Sequence, residues 1–366
     1  MNKNKKRKKR GFLYKLGRFF GVLLLIVVIL LGSMIGLLSA TEYQPADVEA
    51  VEVRSGAKKT LSAGDSLTVL TWNIGYGALG DNADFFMDGG KGVYTADTAR
   101  IRSNLNGIIS HVDPLTPDVI FFQETDQSSF RTYLTDEVSI FKNEFGSFDA
   151  AYANNFNVLF LPYPIPPIGK VDSGLLTFSA YPVASAERVQ LPIPFKWPIR
   201  LANLKRCVLI ERIPIAGTER QLVIVNLHLE AYDDGEGKVA QTQMLKEILN
   251  KEAQNGNYVI AGGDFNQIFS NVDTNAYPAQ EGKWQAGEIP AEDFTAIGWQ
   301  LLMDARVPTC RSLDQPYAGA DHESFQYYMI DGFIVTPNLR VDLLETQDYG
   351  FVNSDHNPVL MKVTLG

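Results

Sequence analysis

The residues whose types could do chemistry lie far apart along the chain but share one setting: each stands beside an apolar, β-branched run. Asn73 ends LTVLTWN, Glu124 follows DVIFFQ, and His228 lies near the end of LVIVNLH. Asp264 and Asn266 follow the apolar part of YVIAGGDFN, Asp331 interrupts YYMIDGFIV, and Asp355 and His356 precede the last apolar run in NSDHNPVL. A sheet delivers polar side chains at strand ends to one common edge, so the set is predicted to form a cluster. Carboxylates and an amide are hard oxygen ligands suited to Mg²⁺ or Mn²⁺, and two histidines without cysteine argue against zinc or iron. Beside a hard cation, a carboxylate can orient or deprotonate water, while histidine and amide donors stabilise a crowded phosphoryl transition state. Taken singly, Asn73 or Asn266 reads as a turn or cap residue and His356 as an ordinary histidine. Asp331 is harder to explain that way, because an unpaired buried carboxylate is costly. The ordered set favours catalysis. His111 and His322 match no pattern and are read as ordinary. Cys207 and Cys310 fit either one disulfide or two buried thiols, and their spacing excludes a structural zinc site.

The elements that must position this set alternate between strand and helix patterns. Strands are predicted at Leu67–Asn73, Asp118–Gln123, Ser173–Ser179, Cys207–Ile213, Gln221–Leu229, Tyr258–Gly262, Gln326–Val335 and Val359–Val363. Helices are predicted at Tyr94–Val112, Ser128–Phe145 and Lys238–Asn250, the first opened by Thr95 or Asp97 and closed before Pro114. Continuous apolar strands need cover on both faces, which implies a layered α/β sandwich. At 366 residues and 45% hydrophobic, the chain can bury a core of one large domain or two small ones. Phe156–Gly169 and Leu191–Arg200 are too rich in proline for helix and too apolar for ordinary loops, so something should cover them.

WN, QET, NLH, GGDFN, the ID strand and SDHNP, in that order, resemble the endonuclease/exonuclease/phosphatase superfamily, the deoxyribonuclease I-like fold. The resemblance spans nearly all of residues 66–366. It implies a four-layered α/β sandwich, two packed mixed β-sheets flanked by helices, carrying a metal-dependent phosphoester hydrolase. By the same resemblance Asn73 and Glu124 hold the metal with Asp355 beside it. Asp264 activates water, Asn266 contacts phosphate, and His356 paired with Asp331 stabilises the scissile group. His228 resembles a second catalytic histidine, whose acidic partner no motif reveals. Ser173 and Arg206 are weaker candidates for substrate binding, Arg206 being equally a salt-bridged surface residue. Glu230 is read as a solvated charge.

The first 18 residues carry nine basic side chains and no acid, and read as a cytoplasmic tail. Phe19–Ala40 has 22 residues without a charge, long enough at about 1.5 Å per residue to cross a hydrocarbon core of roughly 30 Å. It reads as a single transmembrane helix. The alternative, a cleaved signal peptide, has a shorter apolar stretch and a small residue where Leu38 stands. The positive-inside rule then places residues 41–65, read as a stalk, and residues 66–366, the catalytic domain, outside the cytoplasm. The nine bases leave 24 of 33 for the rest against 42 acids, a formal charge of −18. That surface opposes counterion-release binding to nucleic acid, so a lipid or small phosphoester is the preferred substrate. A membrane-tethered nuclease is the alternative, and a non-catalytic surface module the least favoured. The Pro/aromatic segments either dip into a lipid interface or pack over sheet edges, and no protein partner is indicated.

Overall fold

A computed structural model describes residues 3–366 apart from Asp234 and Ala296. A helix runs over Lys3–Ala40, continuing through the basic tail, and its Gly11–Ala40 part is long and apolar enough to cross a membrane. Beyond it two mixed sheets pack face to face. The first has the order Leu339–Thr346, Val359–Leu365, Ser66–Asn73, Val119–Asp126, Gly169–Ser179, Asp149–Leu161, Val53–Arg54. The second runs Val48–Ala50, Ser185–Gln190, Cys207–Ala216, Gln221–His228, Tyr258–Asp264, Asp331–Val335, Gln300–Leu302, with Leu61–Ser62 added beside Cys207–Ala216. Each sheet has one parallel pair at its centre, Ser66–Asn73 with Val119–Asp126 and Gln221–His228 with Tyr258–Asp264. Their neighbours are antiparallel.

Side chains alternate across a strand, and that period of two sorts the apolar runs into layers. Leu67, Val69, Val119 and Phe121 meet Leu222, Ile224, Ile260 and Phe333 between the sheets. Leu70, Trp72, Ile120 and Phe122 face outward, under the helix Thr98–Val112, through Ile101, Leu105 and Ile108, and under the helix Glu137–Glu144, through Val138 and Phe141. Val223, Val225, Val259 and Ala261 face outward on the other side beneath Leu245 and Leu249 of the helix Glu236–Gln254. The result is the four-layered sandwich that the resemblance implied.

Residues 41–65 do more than the stalk predicted for them. Val48–Ala50, Val53–Arg54 and Leu61–Ser62 add short edge strands to both sheets, because partners brought close by the fold satisfy their backbone groups. The predicted helix Ser128–Phe145 contracts to Glu137–Glu144, capped by Asp136, whose side chain accepts from the Ser139 amide. Cys207 and Cys310 are both free and buried.

Glu211, buried between the sheet strands, is expected to contribute to the pH dependence of stability. Glu211 is fully buried, and burial, with the Asp149 charge adding, raises its carboxyl from 4.5 to about 8. In the unfolded chain the carboxyl ionises near 4.5, so the unfolded state gains and stability falls as pH rises between those values. Asp88, Glu137, Asp264 and Asp355 are raised in the same direction, so Glu211→Gln is expected to reduce the slope without abolishing it, stabilising the protein at pH 8 by about 2–4 kcal/mol. Thermal unfolding midpoints of the full chain in detergent at pH 5 and pH 8 test this. Equal slopes in the two proteins would refute it.

Candidate active site

The face that packs the sheets together turns polar at one end, and that change builds the site. Val69, Thr71 and Asn73 share a face, as do Ile224, Asn226 and His228; Ile260, Gly262 and Asp264; and Val335, Phe333 and Asp331. The register sets His228 beside Asp264 and Asp264 beside Asp331 across three adjacent strands. Gly262 leaves room for two rings: a Cβ there would lie 2.5 Å from Phe333 on the neighbouring strand and 3.1 Å from Phe121 in the facing sheet. A floor of amides ties the sheets together below the site. Gln123 Nε2 donates to Asn226 Oδ1 at 2.8 Å and to Thr71 Oγ1 at 3.1 Å, and Asn226 Nδ2 donates to Thr177 Oγ1 at 3.2 Å. Gln123 and Asn226 stand in the motifs QET and NLH but have no role assigned to them there, although period two places Asn226 on the His228 face.

Asp264 is the hub. Its Oδ2 accepts from Asn73 Nδ2 at 3.0 Å and its Oδ1 from the Asn266 amide at 2.8 Å. His228 Nε2 stands 3.5 Å and His356 Nε2 3.8 Å from the same Oδ2. Burial first, and then the Asp331 charge, raise the Asp264 carboxyl to about 7. The two histidines diverge. Burial, Arg206 and His356 push His228 well below its usual 6.5. Burial opposes the charge on His356 too, but Asp331, Cys310 and Asp355 outweigh it and raise the group well above 6.5. His356 Nδ1 and Asp331 Oδ2 are 2.8 Å apart, the pair that the resemblance implied. No carboxylate bonds His228 Nδ1 among the described residues; the acid that His228 meets is Asp264 itself.

Glu124 reaches the site through a bulge. The pairing with Gly169–Ser179 slips between Phe122 and Thr125, and Glu124 takes φ 54°, a strained conformation that swings its carboxylate off the ladder. Its Oε1 accepts from Asn73 Nδ2 at 3.1 Å. Asp355 is raised to about 6 by burial, opposed by His356 and increased by Glu124, so the two carboxylates lie within each other's field. Two carboxylates within each other's field fit a hard divalent cation; the Asn73 side chain turns Nδ2 towards them and its oxygen to the Gly75 amide, so it would ligate through that oxygen only after the amide turns. Cys310 lies beside Asp355 and His356, but burial pushes its thiol up to about 12 and leaves it a poor soft ligand.

Asn266, at φ 50°, donates Nδ2 to Leu229 O at 2.9 Å and lines the cleft above Asp264. Ser173 lines it too. Arg206 is no surface residue: it is buried, donates Nε to Glu230 at 3.2 Å and Nη1 to His228 O at 3.2 Å, and borders the cleft. Glu230 is correspondingly not a solvated charge, since its Oε1 also accepts from the Ala231 and Tyr232 amides. Sequence reading missed Arg131, which pairs with both oxygens of Asp126 and stacks 3.5 Å over Tyr76, and Arg311, buried beside Asp355. His111 and His322 stack on Tyr349 and Tyr317, as ordinary histidines do.

These groups open into a cleft of about 420 Å³. Its walls are apolar, with Phe86, Phe156, Leu161, Tyr163, Ile168 and Val171 above the polar floor. No lysine lines it among the described residues, and Arg131, Arg206 and Arg311 are each bound to carboxylate or carbonyl oxygens.

Two large mixed sheets packed in a layered α/β sandwich are the fold of the endonuclease/exonuclease/phosphatase class. The chain belongs to the endonuclease/exonuclease/phosphatase family, whose model matches residues 70–356. Members of that family are generally hydrolases of phosphoester bonds and typically use divalent metal ions. Among solved structures the fold is similar to an endonuclease/exonuclease/phosphatase from Beutenbergia cavernae, with 18% identity, a TM-score of 0.54, and coverage of 82% of this chain and 72% of that one. It is likewise similar to one from Bacteroides vulgatus, with 16% identity, a TM-score of 0.53, and coverage of 82% and 100%. The human Nocturnin catalytic domain aligns with 14% identity, a TM-score of 0.50, and coverage of 86% and 98%. No curated protein sequence matches the chain significantly.

Proposed function

We propose that this protein is a divalent-metal-dependent phosphoester hydrolase, held in the membrane by its N-terminal helix and acting outside the cytoplasm. The observation that carries the reading is the meeting of Asn73, His228 and His356 on one buried carboxylate, Asp264. Glu124, Asn73 and Asp355 would hold Mg²⁺ or Mn²⁺, which when bound neutralises phosphate charge and polarises the ester. Asp264, fixed by the Asn73 side chain and the Asn266 amide, orients a water and takes its proton. His356, held by Asp331 through Nδ1, presents Nε2 as a donor to a phosphoryl oxygen. His228 presents Nε2 from the other side of Asp264. Asn266, Ser173 and Arg206 line the path of the substrate.

The apolar walls and the lack, among the described residues, of a lysine or unpaired arginine lining the cleft favour a lipid or small phosphoester over nucleic acid. The full chain in detergent micelles with Mg²⁺ is therefore expected to hydrolyse phospholipid, sphingolipid or small phosphodiester substrates at least about tenfold faster than DNA or RNA at physiological salt. A preference for nucleic acid in that panel would replace this reading with a membrane-tethered nuclease.

A further inference from the structure

We infer that the end of the N-terminal helix and the two Pro/aromatic segments form one wedge seated in the outer leaflet, so that the cleft opens at the headgroups of the membrane that holds the protein. The inference rests on the anchored, outward-facing topology proposed above.

The helix does not merely lead to the catalytic unit; it packs on it. Met34, Ile35 and Leu38 join a cluster with Val158, Leu161, Ile168 and Leu201. Trp197 Nε1 donates to Ser39 Oγ at 3.1 Å, and Glu42, just past the helix, meets Arg200 at 3.1 Å and Lys205 at 3.2 Å. Both segments are thus fixed against the helix end.

Depth follows from that docking. Residues 34–38 belong to the last two turns of the uncharged run Phe19–Ala40. At about 1.5 Å per residue, whatever packs on them lies within roughly 10 Å of the outer boundary of the hydrocarbon. The two segments docked there also carry apolar side chains that the chain leaves uncovered: Ile165 is 93% exposed, Tyr163 68%, Ile199 62% and Trp197 57%. Lys196 stands exposed among them, suited to an anionic headgroup, and Arg200 is exposed beside its partner Glu42. Aromatic rings, aliphatic side chains and bases in one band are what a membrane interface selects.

The same wedge forms a wall of the site. Leu161 and Ile168 touch the anchor cluster and also line the cleft, as do Phe86 and Phe156. A lipid in the same leaflet reaches Asp264 by moving sideways along these side chains. A soluble polymer must pass between the wedge and the bilayer.

The test is the depth of Ile165. The full chain, with Ile165→Cys, Leu24→Cys or Leu343→Cys, is labelled with a fluorophore and placed in phosphatidylcholine/phosphatidylglycerol vesicles with brominated acyl chains. Cys207 and Cys310 are buried, so the introduced thiol takes the label. Leu24 reports the anchor, and Leu343, on the edge strand at the far side of the first sheet, is the control. Labels at Leu24 and Ile165 should be quenched at least about threefold more than at Leu343, as for side chains sunk into the acyl boundary. Quenching at Leu24 but no more at Ile165 than at Leu343 overturns the wedge and leaves the anchor standing. Quenching at neither overturns both. A disulfide-linked dimer through Ile165→Cys, with no quenching there, assigns the surface to a second copy instead. No arm needs turnover, so its failure is separate from failure of the hydrolase reading.

Discussion

Asp264→Asn is expected to lower kcat on whatever phosphoester the protein cleaves by about 10³-fold, within the usual range for removing a general base. The substitution keeps the shape of the side chain and the strand pairing of His228, Asp264 and Asp331, so the thermal midpoint should hardly move. What it removes is the charge, and one of the two carboxylate oxygens, on which Asn73, His228 and His356 converge. The double variant with His356→Ala should be little worse than the more damaging single one, because groups that act as a unit are not additive. Activity of Asp264→Asn within tenfold of the parent would remove Asp264 from the chemistry.

The second large effect is expected at Glu124. Glu124→Gln preserves the bulge and the hydrogen-bonding reach to Asn73 but removes one of the two carboxylate charges offered to the cation. The concentration of Mg²⁺ or Mn²⁺ giving half-maximal activity should rise by about 10–100-fold, the scale on which perturbed ligand shells weaken metal sites. The rise in thermal midpoint that Mn²⁺ gives the parent should shrink in step, since a ligand stabilises only the state that binds it. An unchanged metal dependence by both readouts would exclude Glu124 as a ligand.

The site was legible in the sequence because its residues interrupt long apolar runs. A carboxylate directly after VIFF, or inside MIDGFIV, conflicts with the core around it, and such conflicts concentrate where function lies. Asp264, Asp331, Glu124 and Asn73 stand out in this way, and the same runs mark the four strands that the structure pairs in parallel at the centres of the sheets. Other features carried no local signal. The strand Asp149–Leu161 mixes asparagine and aromatics without a clean period and runs into the proline-rich stretch, so its end was read as irregular. The edge strand Leu339–Thr346 is largely exposed. The pairs at 48–62 are two or three residues long, too short for any period, and depend wholly on strands far along the chain. Glu230 looked solvated because its partner, Arg206, is distant in sequence, and Arg131 over Tyr76 is invisible for the same reason.

The central claim is that the joint of the two sheets performs metal-dependent phosphoester hydrolysis. Its most direct test is turnover of a chromogenic phosphodiester by the full chain in detergent, stripped with EDTA and then titrated with Mg²⁺ or Mn²⁺. The expected result is no turnover after stripping, recovery on adding either cation, and no recovery in Asp264→Asn. Turnover that persists in excess EDTA, or that Asp264→Asn shares, would contradict it.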